Sequence, residues 1–162
     1  MTNLYDEVFN DIRAGGVFAT DFAGMMLGAV LGAGESRIVF QNKLDSSTVI
    51  KVERRSKSFH NVAEWDTWNN FIGTPLEPWL APCLDISSCG IYLIQRKTVV
   101  AAAKDYPEKV PTFFTDTKYS NWGLYDDRLV CHDYANSTLY RPGAHKNLVK
   151  AQWWKEIHDH QH

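Results

Sequence analysis

Six polar or flexible residues stand in an order that suits the handling of a phosphate chain: Gly32, Gly34, Lys51, Asp116, Asn121 and Asp133. Moving a phosphoryl group asks a protein mainly to position phosphates, a metal and an acceptor. Two glycines in Leu31-Gly32-Ala33-Gly34-Glu35-Ser36-Arg37-Ile38-Val39 allow backbone N–H groups to approach phosphate oxygens with no side chain intervening. A hairpin turn needing positive φ explains the same two glycines. Lys51 lies between the apolar Ile50 and Val52, so it either snorkels outward or reaches a polar partner, and phosphate is a natural one. Glu64 is a candidate ion-pair partner for it. Glu53 is a rival, because strand alternation puts it on the same face as Lys51.

The segment Asp116-Thr117-Lys118-Tyr119-Ser120-Asn121 and the later Cys131-His132-Asp133-Tyr134-Ala135 carry the remaining chemistry. An aspartate sits five residues before an asparagine, and a second aspartate follows twelve residues after that. A short hairpin between them can bring Asn121 and Asp133 to one side as hard oxygen ligands for Mg²⁺. Asp116 then stands where it can accept or orient a hydroxyl proton. The plainer reading makes Asp116 and Asn121 loop caps and Asp133 the end of a strand.

The elements around these residues follow from periodicity and turn chemistry. The spacing predicts a helix over 3–13, capped by Asn3 and ended by Gly15-Gly16, and a second helical turn over 22–26 after Thr20. Strands are expected over 27–31, 37–42 and 48–52, which makes a β-meander. A helix over 57–72 carries Phe59, Val62, Trp65, Trp68 and Phe71. A hairpin joins 83–86 to 91–94, a short helix spans 98–105, and a second hairpin pairs 122–125 with 128–132 across Asp126-Asp127. A final amphipathic helix is expected over 144–158, presenting Trp153 and Trp154.

Bulk composition excludes several classes. An apolar fraction of 44% with 13% aromatic residues supports a packed interior rather than disorder. A net charge of −2 and the absence of a basic run argue against binding nucleic acid through its phosphates. No apolar run is long enough to span a bilayer, and Asp6 and Glu7 replace the basic start of a signal peptide. Cys83, Cys89 and Cys131 are odd in number and lack metal spacing, as reduced cytoplasmic thiols do. The tail His158-Asp159-His160-Gln161-His162 has metal-binding residue types but no scaffold to fix them.

Over residues 27–135 the chain resembles the protein-kinase-like superfamily. Gly32-x-Gly34-x-x-Arg37-x-Val39 resembles its glycine-rich loop, with arginine in place of the third glycine, and Val49-Ile50-Lys51 its phosphate-holding strand. Asp116 to Asn121 resembles the D-x-x-x-x-N catalytic loop, and Asp133-Tyr134-Ala135 a D-F-G variant. Cys83 to Lys97 is similar to the hairpin leading to the adenine-binding hinge, which falls near Gln95. The resemblance implies an α+β fold: residues 1–97 hold an N-terminal extension and an antiparallel N-lobe with one main helix, and 98–162 form a reduced C-lobe of helices and hairpins. It implies ATP and Mg²⁺ as cofactors, with Gly32, Gly34, Val39, Lys51, Glu64 and Gln95 lining the nucleotide. It also implies Lys51, Asp116 and Asp133 as catalytic residues and Asn121 with Asp133 as metal ligands.

Departures from the pattern shape the functional expectation. Phe114 and Thr115 replace the usual histidine and arginine before Asp116. Only 64 residues separate Lys51 from Asp116, and 29 follow Asp133, with no A-P-E motif. The nucleotide-facing half is retained and the acceptor-facing half stripped. The expectation is a minimal cytoplasmic Ser/Thr-type kinase acting on a protein partner, similar to small kinases of viruses or of bacterial effectors inside a host cell. The alternative is a catalytically inactive kinase-like protein that binds and inhibits a partner. A homodimer could supply the surface that so short a second lobe lacks.

Overall fold

The computed structural model describes residues 3–54, 58–135 and 147–155, with nothing to be said of the side chains at 17 and 18. They form two compact units, drawn from Met1–Asp66 with Pro82–Lys97 and from Thr67–Ala81 with Thr98–His162. Among the described residues the fold is mixed α+β, with three α-helices and a five-stranded antiparallel sheet.

In the first unit, helix α1 (Leu4–Ala14) starts where the Asn3 side chain accepts from Tyr5 N at 3.0 Å. Helix α2 (Gly16–Met26) is longer than the single turn expected over 22–26. Gly15 caps α1, and Gly16 at φ +85° turns the chain directly into the next helix, so no loop is spent between them. Thr20 lies inside α2, its hydroxyl donating to Gly16 O at 3.1 Å, and does not cap it.

Strands β1 (Leu27–Ala33), β2 (Arg37–Asn42), β3 (Thr48–Glu53), β4 (Cys83–Ile86) and β5 (Tyr92–Arg96) form the sheet in the order β1-β2-β3-β5-β4. Strand alternation divides its two faces. Ile38, Phe40, Ile50 and Val52 pack with Val8, Ile12 and Ala23 of the two N-terminal helices in one apolar cluster. The register pairs Val39 with Lys51, Val49 with Gln95 and Lys51 with Leu93, which sets these residues on the opposite face. Helix α3 (His60–Phe71) covers that face through Asn61 and Glu64. Strand β3 is therefore buried along its whole length, on both sides. Residue 57, included in the expected helix, lies outside the described residues.

Of the helices and hairpins expected in the second unit, the described residues beyond α3 show the hairpin and not the helices. Beyond the end of α3 its described residues contain strands and 3₁₀ turns and no α-helix. The expected helix over 98–105 is reduced to a 3₁₀ turn at Ala103–Asp105. Thr98-Val99-Val100 is stiff and β-branched, and Val99 exchanges backbone hydrogen bonds with Leu124 at 2.9 and 2.8 Å. Strands β7 (Trp122–Tyr125) and β8 (Arg128–Cys131) form the expected hairpin, with Asp126 and Asp127 both at positive φ in the turn.

The terminal helix expected over 144–158 is absent from its described part, 147–155. Strand β9 (Leu148–Lys150) instead pairs with β6 (Lys109–Pro111), and Tyr119 N donates to Trp154 O at 2.9 Å. The apolar spacing that suggests a helix serves here as an extended edge, because strand partners satisfy the backbone. The Trp153 indole donates to Pro107 O at 2.8 Å and packs against Tyr106, Tyr119 and Trp122. Phe113 and Phe114 extend these ring contacts towards Phe71. Tryptophan in this unit is thus mainly interior material, while Trp154 stays 44% exposed. No helix among the described residues is long and apolar enough to cross a membrane. The histidine tail, 158–162, lies outside the described residues.

Candidate functional site

The first unit holds a buried ionic cluster. Lys51 Nζ is 2.8 Å from Glu64 Oε2, with the lysine side chain 4% exposed and the carboxylate fully covered. Strand β3 aims Lys51 at α3 because its apolar neighbours Ile50 and Val52 are taken by the cluster on the other face. Glu53, the rival partner, does other work: Oε1 accepts from His60 N at 2.8 Å and Oε2 from Asn61 N at 2.9 Å. It caps the start of α3, where the first N–H groups need an acceptor and the helix dipole favours a carboxylate.

Arg37 completes the cluster, and residue spacing alone assigned it no such part. Its Nη1 is 2.9 Å from Glu64 Oε2, Nη2 donates to Oε1 at 3.0 Å, and Nη1 donates to Asn61 Oδ1 at 3.3 Å. Asn61 also donates to Lys51 O at 3.1 Å and Ile91 O at 2.7 Å, so it ties helix to sheet. Asn61 and Glu64 stand three apart on α3, and that polar spacing on an otherwise apolar helix face was the signal available in the sequence. Burial pushes the Glu64 carboxyl up. The Arg37 guanidinium and then the Lys51 ammonium outweigh burial and hold it at about 2, below the ordinary 4.5.

The glycine turn above β1 and β2 does not owe its glycines to positive φ; neither Gly32 nor Gly34 adopts it. Gly34 N donates to Arg37 O at 2.9 Å, so that N–H closes the hairpin and is not left for a ligand. A Cβ at Gly32 would meet nothing within 4 Å, and one at Gly34 only Arg37 O at 3.9 Å. The surface over these glycines is open. Val39 is half-buried on the Lys51 face. Gln95 lies on that face too but is 0% exposed, with Nε2 donating to Cys83 Sγ at 3.7 Å. Its side chain belongs to the interior.

In the second unit Asp116 is exposed and takes three donors: Lys118 N at 3.0 Å and Trp154 Nε1 at 3.0 Å on Oδ1, and Asn121 Nδ2 at 3.1 Å on Oδ2. That bond fixes which end of the Asn121 amide is oxygen. Asn121 ends a 3₁₀ turn (Tyr119–Asn121), and its O accepts from His132 N at 2.8 Å, one residue before Asp133. The His132 ring further ties this region together, with Nε2 2.9 Å from Ser120 O and Nδ1 2.9 Å from Thr98 Oγ1. Asp133 is exposed. The residues after it are anchored: Tyr134 is 0% exposed and its hydroxyl donates to Ala81 O at 2.9 Å.

The structure thus gathers Arg37, Lys51 and Glu64 in the first unit, and Asp116 with Asn121 in the second. No group of three or more His, Cys, Asp or Glu among the described residues is arranged to hold a metal. No protein-family model matches the chain, and no curated protein matches it.

Proposed function

We propose that this chain is an ATP-dependent phosphotransferase with a protein-kinase-like first unit, acting on a hydroxyl of a protein partner. The observation that carries the reading is the 2.8 Å pair between Lys51 on the third strand and Glu64 on the helix that follows. Kinases need that strand-to-helix ion pair to hold a lysine ready for the α- and β-phosphates. The open surface over Gly32 supports it, since a backbone without side chains admits phosphate closely.

The residues fit the cofactors by donor chemistry. Mg²⁺ takes oxygen ligands and is commonly held by one or two protein groups plus substrate phosphates. Asn121 and Asp133 supply two such oxygens, and with no larger cluster among the described residues the phosphates would complete the shell. Lys51 would bind phosphate, Glu64 would hold Lys51 in place, and Asp116 would orient the acceptor hydroxyl.

Thermal unfolding in millimolar Mg·ATP is the first test, and a rise in midpoint is expected because a ligand of the folded state stabilises it. No rise would sink the reading. Radiolabel transfer to a protein acceptor is the second, with Asp133→Ala expected to abolish it.

A specific observation favours a second reading, a non-catalytic kinase-like binder. Both oxygens of Asp116 are already engaged, by a backbone N–H, an amide and an indole. Nucleotide-dependent stabilisation without transfer to any acceptor would select this reading over the first.

A further inference from the structure

Ser36 lies in the turn between β1 and β2, after the exposed Glu35 and before the buried Arg37. Its Oγ is 2.5 Å from Nδ1 of His60, the first residue of α3. The His60 backbone is held by its N–H to Glu53 Oε1 at 2.8 Å, so the ring has a fixed base. With the ring proton on Nε2, Nδ1 accepts from the serine hydroxyl. A hydroxyl set against an imidazole nitrogen is the arrangement that activates a weak oxygen nucleophile. Structure alone has little use for the bond. Gly34 N to Arg37 O already closes the turn, and Arg37 already fastens it to α3 through Asn61 and Glu64. Arg54, ion-paired to Glu7, also reaches this turn, its Nη2 donating to Glu35 O at 3.3 Å.

We infer that Ser36 is itself a phosphoryl acceptor, with His60 as its general base. The inference rests on the phosphotransferase reading and names one acceptor for it. In the step, Ser36 Oγ forms a bond to the γ-phosphorus of ATP. The bond from that phosphorus to the β,γ-bridging oxygen breaks, and its electron pair leaves on ADP. The hydroxyl proton passes to His60 Nδ1. The phosphoserine then faces an imidazolium, a cation suited to a dianion.

The test uses the full chain, stripped of phosphate by a phosphatase, then incubated with Mg·[γ-³²P]ATP and an added basic protein acceptor. Intact mass and peptide mapping follow label on the chain, and the added acceptor reports transfer separately. Phosphate is expected on the peptide holding Ser36, absent in Ser36→Ala and restored as phosphothreonine in Ser36→Thr. His60→Gln should slow labelling at Ser36 about a hundredfold, within the range general bases supply, while transfer to the added protein is unchanged. Transfer to the added protein with none on Ser36 overturns this inference and leaves the phosphotransferase reading standing. Absence of both nucleotide binding and transfer overturns the two together. Undiminished Ser36 labelling in His60→Gln removes His60 as the base.

Discussion

Arg37 and Lys51 converge on one oxygen: the guanidinium Nη1 stands 2.9 Å, and the ammonium Nζ 2.8 Å, from Oε2 of Glu64. A buried carboxylate shared by two cations has unequal dependence on its partners. Removing Lys51 leaves Glu64 paired with Arg37, whereas removing Glu64 leaves two cations buried without it. Breaking a buried pair from one side costs roughly 3–5 kcal/mol. Glu64→Ala is therefore expected to approach that loss in chemical denaturation, and Lys51→Met to lose less than half as much. Equal losses would show that Arg37 does not back up the lysine.

The same carboxylate makes stability depend on acid. Its folded value is about 2 against an ordinary 4.5, so the unfolded chain takes up the proton first as pH falls. Its contribution is whole above pH 4.5 and is lost as pH drops from there through about 2. Linkage puts the amount on the order of 3 kcal/mol. Denaturant midpoints measured from pH 7 to pH 2.5 should fall in this window for the wild type. In Glu64→Gln the fall should be shallower by about that amount, and parallel curves would refute the assignment.

The glycines of β1 separate packing from ligand access. Gly28 has Gln41 O only 2.8 Å from where a Cβ would stand, while Gly32 has open space. Gly28→Ala is expected to destabilise by about 1–3 kcal/mol, as overpacking does. Gly32→Val should change stability by less than about 0.5 kcal/mol, as surface substitutions usually do, and yet abolish the Mg·ATP-dependent rise in melting temperature. A preserved rise would show that phosphate does not approach Gly32.

Asp116 distinguishes a loop cap from a catalytic group. Asp116→Asn keeps the side chain's size and can still accept from Lys118 N and Trp154 Nε1. Stability should shift by about 1 kcal/mol, the worth of one net hydrogen bond. Transfer should fall about 10²–10⁴-fold if the carboxylate orients the acceptor. A variant that transfers normally would make Asp116 structural only.

Local pattern was enough for the elements with their own signals. Asn3 marks the start of α1, Arg37–Asn42 alternates as a strand, and Asp126-Asp127 makes a turn that only a few residue types tolerate. The strand over 148–150 and the loss of the helix over 98–105 were not legible, because each depends on a distant partner, β6 in one case and Leu124 in the other. The choice between Glu53 and Glu64 was undecidable for the same reason. Both lie within reach of Lys51 by spacing, and only the seating of α3 assigns Glu53 to the helix start and Glu64 to the lysine.

By itself, then, the order of residues determined which side chains of a given chemistry are present, and the local conformations around them, since these depend on side-chain type and near-neighbour sterics. Tertiary structure alone decided who pairs with whom: that Arg37 is a buried cation, that Ser36 meets His60, and that Trp154 reaches Asp116. Charge pairing falls off with distance and depends on burial. Neither quantity exists until strands and helix have packed.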